Sequence, residues 1–421
     1  MGFGIRILLP VVLVRLLTKA DIGEYNQFFL IETLIQTVFQ LGVNQSQYYF
    51  VPRDPRNAGG IFLNCILLNL VLFSIGYTAV GLFRTDVAAW LGMPVLDRFF
   101  WYLTAYSILM LLGVATQVFL TARKEFLHAA VYDVGRQVVA SIATLIAAFA
   151  FKSLEAVIAA LVISRALTLA AGLVFVHVRH RGFASERYFD GVWRQVKYGV
   201  VLGTAGTVGT LTLRMHELAV SKFFPIETFA VYSQGLKQIP ILLFFTQSVA
   251  EVALVRFAQL AKDDDWTGIR AFWDEVLGAM YAIGIPVTFL FVAVADPLVR
   301  LMYTDRYIEA VPIFQINAAA MLFHLVNPTL VLRALDRNDL TLRNNLAVLL
   351  LLPGALYLGM RFGGTTGIIA AHGLMLVCGR LVLQYQLNRS IPERLGIFPT
   401  WSAVRTFYAK TWNRGLGLVK R

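Results

Sequence analysis

Cysteine is nearly absent from this sequence. Its two cysteines, Cys65 and Cys378, both stand inside apolar runs. Two thiols so placed cannot form the disulfide framework of a small secreted domain, nor the paired Cys and His spacing of a zinc site. The sequence therefore predicts neither a disulfide scaffold nor a bound metal.

Charged residues are also scarce. They make up 15% of the 421 residues, against about 25% in soluble domains, while hydrophobic residues make up 58%. The apolar residues form twelve runs long enough to cross a hydrocarbon core of about 30 Å, without the alternation of barrel strands. We therefore predict an all-α polytopic membrane protein with about 12 transmembrane helices in two six-helix lobes. The predicted spans are residues 2–17, 22–43, 58–83, 99–120, 128–150, 155–178, 196–222, 229–252, 272–295, 310–332, 340–361 and 364–387.

Motifs of soluble-type catalysis are missing. The sequence has no GxSxG nucleophile elbow and no phosphate-cradling P-loop. A membrane polymerase or ligase needs carboxylates or a large extracytoplasmic loop to hold its donor and acceptor. The longest loops predicted on that side, residues 84–98 and 296–310, are short. A transporter is therefore favoured over an enzyme.

The stretch from Arg15 to Asn44 carries a polar stripe inside a predicted span. After Tyr25, four polar residues follow one another at every fourth position: Glu32, Gln36, Gln40 and Asn44. Residues spaced in this way share one face of a helix. Such a stripe is expensive in a membrane unless it faces protein or a water-filled cavity.

Two sequence similarities between the halves of the chain indicate an internal duplication. Tyr25, Gln27 and Gln40 align with Tyr232, Gln234 and Gln247 at one constant offset. AVIAALVISR, which ends at Arg165, is similar to GIIAAHGLMLVCGR, which ends at Arg380. Two membrane repeats around a polar site are the usual plan of a transporter.

The duplication and the loops predict the domain organisation. We expect an N-terminal lobe at residues 1–178, a cytoplasmic linker at 179–197 and a C-terminal lobe at 198–387. Residues 388–421 form a basic cytoplasmic tail, in which Trp401, Val404, Tyr408 and Trp412 share one face of an interfacial helix that binds membrane lipids. The net charge of +12 does not indicate nucleic acid here, because most basic loop residues lie on one side of the predicted spans. By the positive-inside rule both termini are cytoplasmic.

Basic residues within the spans outnumber acidic ones, so an interior cavity would suit an anion. The basic residues are Arg6, Arg15, Arg136, Arg165, Arg214, Lys237 and Arg380. Asp133 with Arg136, and Arg214 with Glu217, are spaced to pair locally on one helix, which favours a structural role. Arg6 is expected to snorkel toward the cytoplasm. The other cations without an acid three or four positions away are Arg15, Arg165, Lys237 and Arg380. We expect these four to bind substrate, with bracing of helices as the alternative.

Other polar residues in the spans could line the cavity or couple transport to H⁺ or Na⁺. They are Glu32, Gln36, Gln40, Glu217, Gln247, Glu251 and His324. Four glycines in the seventh span also share a face: Gly199, Gly203, Gly206 and Gly209. Small residues on one face allow either close helix packing, which is favoured, or bending.

Four segments carry a resemblance to a known family. They are RLLTKADIGEYNQF, with Arg15, Gly23 and Tyr25, then VYSQGLKQIP, LVRLMYTDRYIEAVPIFQI and RALDRNDLTLRNNL. In this order they resemble segments of bacterial polysaccharide and O-antigen flippases of the Wzx type. That family belongs to the multidrug, oligosaccharidyl-lipid and polysaccharide exporter (MOP) superfamily, whose multidrug (MATE) members share its fold.

The resemblance implies two six-helix lobes around a partly cationic cavity that opens alternately to either side of the bacterial inner membrane. The implied cargo is an undecaprenyl-pyrophosphate-linked oligosaccharide for O-antigen or exopolysaccharide. The implied partners are a polysaccharide polymerase and glycosyltransferases. The seventh span departs from the family, because His216 and Glu217 stand where an Asp is frequent. Two alternatives stay open: an ion-coupled drug or metabolite antiporter of the same superfamily, and a polymerase or ligase.

Overall fold

The computed structural model describes residues 2–180, 189–323 and 325–409, and in these ranges the chain is helical without a strand. The first ten helices are α1 Gly2–Leu16, α2 Lys19–Gln40, α3 Val43–Phe50, α4 Ala58–Leu82, α5 Arg84–Leu91, α6 Val95–Arg98, α7 Phe100–Ala122, α8 Phe126–Phe151, α9 Leu154–Arg179 and α10 Val192–Phe223. The remainder are α11 Ile226–Gly235, α12 Pro240–Lys262, α13 Trp266–Ala293, α14 Ala295–Tyr303, α15 Ala310–Phe323, α16 Thr329–Ala334 and α17 Asn338–Ser390.

Each of the twelve predicted spans overlaps with one or two helices in the described residues. In the described part of the chain, seven helices are long and apolar enough to cross a membrane. One of them, α17, has 53 residues and is two helices joined at Gly364, whose φ of 57° and ψ of −134° break the helical path. The predicted all-α multi-pass membrane fold is confirmed.

Three of the predicted spans are interrupted within the described residues: 22–43, 229–252 and 310–332, the last between α15 and α16. Between α2 and α3, Leu41 and Gly42 both have positive φ, at 43° and 68°, so the chain leaves the helix and re-enters it. Between α11 and α12 the chain is non-helical, and α12 then begins at Pro240. Proline suits a first helical position because its missing N–H would have no intrahelical partner there.

The chain divides into two compact units, Met1–Val231 (unit one) and Tyr232–Arg421 (unit two). The division falls within α11, because α10 packs against α2 and α3 and therefore belongs to unit one. The predicted assignment of functional lobes to residues 1–178 and 198–387 stays a prediction.

A core of buried side chains holds each unit together. In unit one, Phe62 and Phe119 are fully buried and stack with ring centroids 4.5 Å apart, which joins α4 to α7. In unit two, Phe257 and Trp273 are fully buried between α12 and α13. Aromatic pairs of this kind add about 0.5–1.5 kcal/mol beyond the area that they bury.

The glycines of α10 explain how closely it approaches the break between α2 and α3. A β-carbon on Gly203 would lie 2.4 Å from the carbonyl carbon of Leu41, and one on Gly199 would lie 2.7 Å from the Leu41 oxygen. By contrast, β-carbons on Gly206 and Gly209 would meet no atom within 4 Å. The favoured explanation, close packing, therefore holds for two of the four glycines.

We predict that Gly203→Ala destabilises the protein by about 1–3 kcal/mol, because the added methyl would press on the main chain of Leu41. The matched control is Gly206→Ala on the same helix, which should be neutral or slightly stabilising because alanine has the higher helix propensity. The measurement is the thermal unfolding midpoint of each variant in detergent. Equal midpoints for the two variants would contradict the packing described here.

Candidate functional site

Arg165 lies in a buried polar cluster of unit one. It stands on α9, only 9% exposed, and its Nη1 donates a hydrogen bond of 3.2 Å to the carbonyl oxygen of Arg136 on α8. Its guanidinium carbon is 5.8 Å from the ring centroid of Tyr106 on α7. Its Nε is buried without a hydrogen-bond partner in the described structure. Arg165 thus retains donor capacity inside the unit.

Glu32 places a carboxyl group in this cluster. Its carboxylate is 7% exposed, accepts a hydrogen bond from Gln36 one turn along α2, and interacts electrostatically with Arg165. The sequence spacing shows no acid near Arg165 on its own helix. The tertiary structure provides one from a different helix, α2, within electrostatic reach of Arg165.

The two predicted local pairs are present. Arg136, 5% exposed, forms an ion pair of 3.0 Å with Asp133, whose other oxygen accepts a 2.7 Å hydrogen bond from Gln137. Arg214 pairs with Glu217 on α10. Because each charge has a partner on its own helix, these four residues fit the structural role that their spacing predicts.

Arg15 lies outside the buried cluster. It is exposed in the last turn of α1, and its Nη1 donates to the carbonyl oxygen of Val11. A cation at this position is favourable because it interacts with the negative end of the helix dipole. The geometry fits both the bracing and the substrate-binding hypotheses.

In unit two, Lys237 lies in the non-helical link between α11 and α12. It is half-buried and stands three positions before Pro240, the first residue of α12. The N-terminus of a helix attracts anions because its first N–H groups point outward and its dipole is positive there. Interrupted membrane helices with charged residues at the break are a frequent form of transporter binding sites.

Arg380 contacts a second interrupted region of unit two. Its Nη1 donates a 2.7 Å hydrogen bond to the carbonyl oxygen of Val326, which lies in the link between α15 and α16. Arg165 and Arg380, aligned by the sequence repeat, therefore both donate to a main-chain carbonyl of a neighbouring element within their own unit. His324 lies outside the described residues.

The helix α12 exposes polar side chains at membrane depth. Gln247, Ser248 and Glu251 are all exposed within the unit, and α12 is the least buried of the seven candidate spans in the described chain. Exposed amide, hydroxyl and carboxylate groups are unfavourable against lipid. This stripe therefore requires a water-filled cavity or another protein surface. Gln40, in contrast, is half-buried at the end of α2.

The structure brings Glu32, Gln36 and Arg165 together in unit one, and places Lys237, Gln247 and Glu251 on the link and helix of unit two. It adds Tyr106, which the sequence pattern did not single out because a tyrosine in an apolar span is usually core. In residues 2–180, 189–323 and 325–409 no three His, Cys, Asp or Glu side chains come together as metal ligands.

The fold of these units is that of MOP transporters. The structure is similar to an inward-facing multidrug resistance MATE family transporter of the MOP superfamily, with a TM-score of 0.70 at 9% identity over 92% of this chain and 95% of that one. It is similar to the lipid II flippase MurJ in an inward closed conformation, with a TM-score of 0.68 at 12% identity over 92% and 87%. It is also similar to a mutant of the Vibrio cholerae MATE transporter VcmN, with a TM-score of 0.60 at 15% identity over 92% of each chain.

A comparison of the sequence with known families shows the family to which the chain belongs. Residues 12–312 match the family described as polysaccharide biosynthesis protein, and the chain belongs to this family. No curated protein matches the sequence. The resemblance found in the four sequence segments is confirmed at the level of family and superfamily fold.

We predict that Glu32→Gln destabilises the protein, because it leaves Arg165 buried with less compensating charge. The double variant Glu32→Gln with Arg165→Gln should recover part of the loss, with a coupling energy of about 0.5–3 kcal/mol. The measurement is thermal unfolding of the two single variants and the double variant. Glu251→Gln, at an exposed position on α12, is the matched control and should not change stability. Additive effects of the two substitutions would show that the charges are not coupled.

Proposed function

We propose that this protein is a flippase for an undecaprenyl-pyrophosphate-linked oligosaccharide in the bacterial inner membrane. It moves its cargo from the inner to the outer leaflet by alternating access, during synthesis of a surface polysaccharide such as O-antigen or exopolysaccharide. The observation that carries the proposal is Lys237 at the break before α12, on a span that also exposes Gln247 and Glu251. This arrangement offers positive charge and hydrogen-bonding groups inside the membrane.

The chemistry of the cargo fits these groups. A pyrophosphate presents acceptor oxygens and negative charge, which Lys237 and the N-terminal N–H groups of α12 can receive. An oligosaccharide presents hydroxyls, for which the amide of Gln247 is both donor and acceptor. The polyprenyl chain requires no polar partner, because it can stay in the lipid during transport.

The other three cations contribute differently under this proposal. Arg165 holds unused donor capacity beside Glu32, so a pyrophosphate could compete with that carboxylate for its charge. Arg380 donates one N–H group to the carbonyl oxygen of Val326, and its guanidinium adds positive charge in unit two. Arg15 is exposed at the end of α1 and accessible to cargo.

The family and the fold of this chain also support a lipid-linked saccharide as the cargo. The chain belongs to a polysaccharide biosynthesis family, and one protein with its fold is a lipid II flippase. We infer both termini to be cytoplasmic, transport to be coupled to H⁺ or Na⁺ through a carboxylate such as Glu32, Glu217 or Glu251, and the partners to be glycosyltransferases and a polysaccharide polymerase.

The alternative is an ion-coupled drug or metabolite antiporter. It is favoured by the similarity to multidrug MATE transporters and by the exposed carboxylate of Glu251 on α12. A cationic drug would need acidic groups where this chain places Lys237. A polymerase or ligase is a weaker alternative, because no catalytic set is evident among the described residues.

We predict that Lys237→Ala reduces surface glycan strongly, because a lost charge-assisted contact is worth about 1.5–3 kcal/mol, or about ten- to hundred-fold in affinity. Ala variants of Arg15, Arg165 and Arg380 should act in the same direction, and Arg15→Lys should retain part of the activity because its charge remains. The measurement is surface glycan by gel in cells that depend on each variant, together with the level of protein in the membrane.

The matched control for Lys237→Ala is Lys262→Ala, at the exposed far end of α12, which should export normally. If all four Ala variants reach normal levels and export normally, these cations do not bind the cargo. If the variants are poorly expressed rather than inactive, the residues only brace the helices. Transport of a cationic drug that is lost in Glu251→Gln would favour the antiporter.

We predict that epitope tags at residues 1, 185 and 421 all face the cytoplasm, because the loops rich in Lys and Arg lie on that side of the predicted spans. The measurement is tag accessibility in intact cells and in inverted membrane vesicles. A tag at residue 185 that is accessible from outside intact cells would refute the twelve-span topology.

A further inference from the structure

The segment after α17 is docked along α13 of unit two. The indole Nε1 of Trp273 donates to the carbonyl oxygen of Gly396 at 2.8 Å, and the hydroxyl of Tyr408 donates to the carbonyl oxygen of Ala282 at 2.6 Å. Between these contacts Ala403 lies against Gly278, where a β-carbon would be only 2.9 Å from the Ala403 main chain. The helical part of the tail, residues 401–409, is therefore fixed to α13 rather than free at the surface.

A cleft of about 380 Å³ lies between the tail and α13. The tail contributes mainly hydroxyl groups to it, and α13 contributes two carboxylates. Its lining residues are Ala271, Asp274, Glu275, Thr400, Ser402, Ala403, Thr406 and Phe407. The cleft is therefore negatively charged and rich in hydrogen-bonding oxygen atoms.

Asp274 has no direct ionic contact among the described residues, although Arg270 acts on it electrostatically. This residue is half-buried and makes no hydrogen bond or ion pair with any described residue. The cation that acts on it, Arg270, instead forms an ion pair of 2.9 Å with Glu393. A partly buried carboxylate without a partner is unfavourable, and a cation in the cleft would remove that cost.

The position along α13 places the cleft at a membrane boundary. Residues 276–295, directly after Glu275, contain no charged residue, so the hydrocarbon layer begins there. Near the cleft Phe398 and Trp401 are 71% and 80% exposed. Exposed aromatic residues of this kind are typical of the headgroup level of a bilayer.

We propose that the cleft binds the protonated primary amine of a phospholipid headgroup, as in phosphatidylethanolamine. The ammonium group has three N–H donors, which match the carboxylates of Asp274 and Glu275 and the hydroxyl of Thr406. Arg405, exposed and next to Thr406, is available for the lipid phosphate. A choline headgroup has the same charge but no N–H donor, and a glycerol headgroup lacks the positive charge, so both bind less well.

The test is lipid binding to the purified full-length protein in detergent, measured by native mass spectrometry. The probes are dioleoyl phosphatidylethanolamine and its choline and glycerol counterparts. We expect the ethanolamine lipid to bind about tenfold more tightly than the other two, and Asp274→Asn with Glu275→Gln to remove this preference. The matched control is Asp263→Asn with Asp264→Asn, which makes the same charge change at exposed positions before α13 and should keep the preference.

Three results would overturn the proposal. They are equal binding of the three lipids, a preference that survives in the Asp274 and Glu275 variant, and a preference lost equally in the control. Glycerophosphoethanolamine, which lacks acyl chains, separates the lipid from a soluble amine: it should compete only weakly, and competition at the concentration of the lipid would assign the cleft to a soluble ligand. Thermal unfolding is measured for both double variants and for Asp274→Asn alone, to check that each variant is folded. The binding assay requires no transport, so it is independent of the proposed function.

Discussion

Inside the hydrocarbon layer a polar group without a partner costs several kcal/mol, and this cost governs how the helices of unit one are arranged. The polar residues of α2 and α3 show the effect. The amide of Asn44 donates to the carbonyl oxygen of Leu111, and that of Gln47 donates to the carbonyl oxygen of Ala115, both on α7. Asn69 on α4 donates to Asn44 at 2.7 Å. Three helices are therefore joined by bonds that fix their register.

The cost of unpaired polar groups also explains why the break between α2 and α3 is covered by another helix. Main-chain groups released where a helix is interrupted need a protected environment, and the glycine face of α10 provides it by close contact. Side chains reinforce the contact, since Thr207 on α10 donates to the carbonyl oxygen of Thr37 at 2.9 Å. Nearer the start of α2, Gln27 donates to Ser221 at 2.6 Å. The packing of α10 on unit one therefore extends over much of its length.

The cations singled out in the two units have different surroundings. In unit one Arg165 interacts electrostatically with Glu32, and Arg136 forms an ion pair with Asp133. In unit two Lys237 lies at a helix N-terminus, where the dipole adds to its positive charge. This difference gives Arg165 and Lys237 distinct parts in the proposed flippase, although both are cations in predicted spans.

The sequence by itself determined the membrane class, the helical spans and the local pairs of Asp133 with Arg136 and Arg214 with Glu217, because hydrophobic length and helical spacing are properties of neighbouring residues. The order of four short segments also indicated the family. Only the tertiary structure decided that Glu32 interacts with Arg165, that Gly203 but not Gly206 is a contact, and that the tail docks along α13. Each of these three contacts joins residues of different elements that are far apart in the chain. Helical periodicity shows that a helix has a polar face or a face of small residues, but it does not show which other helix packs against that face.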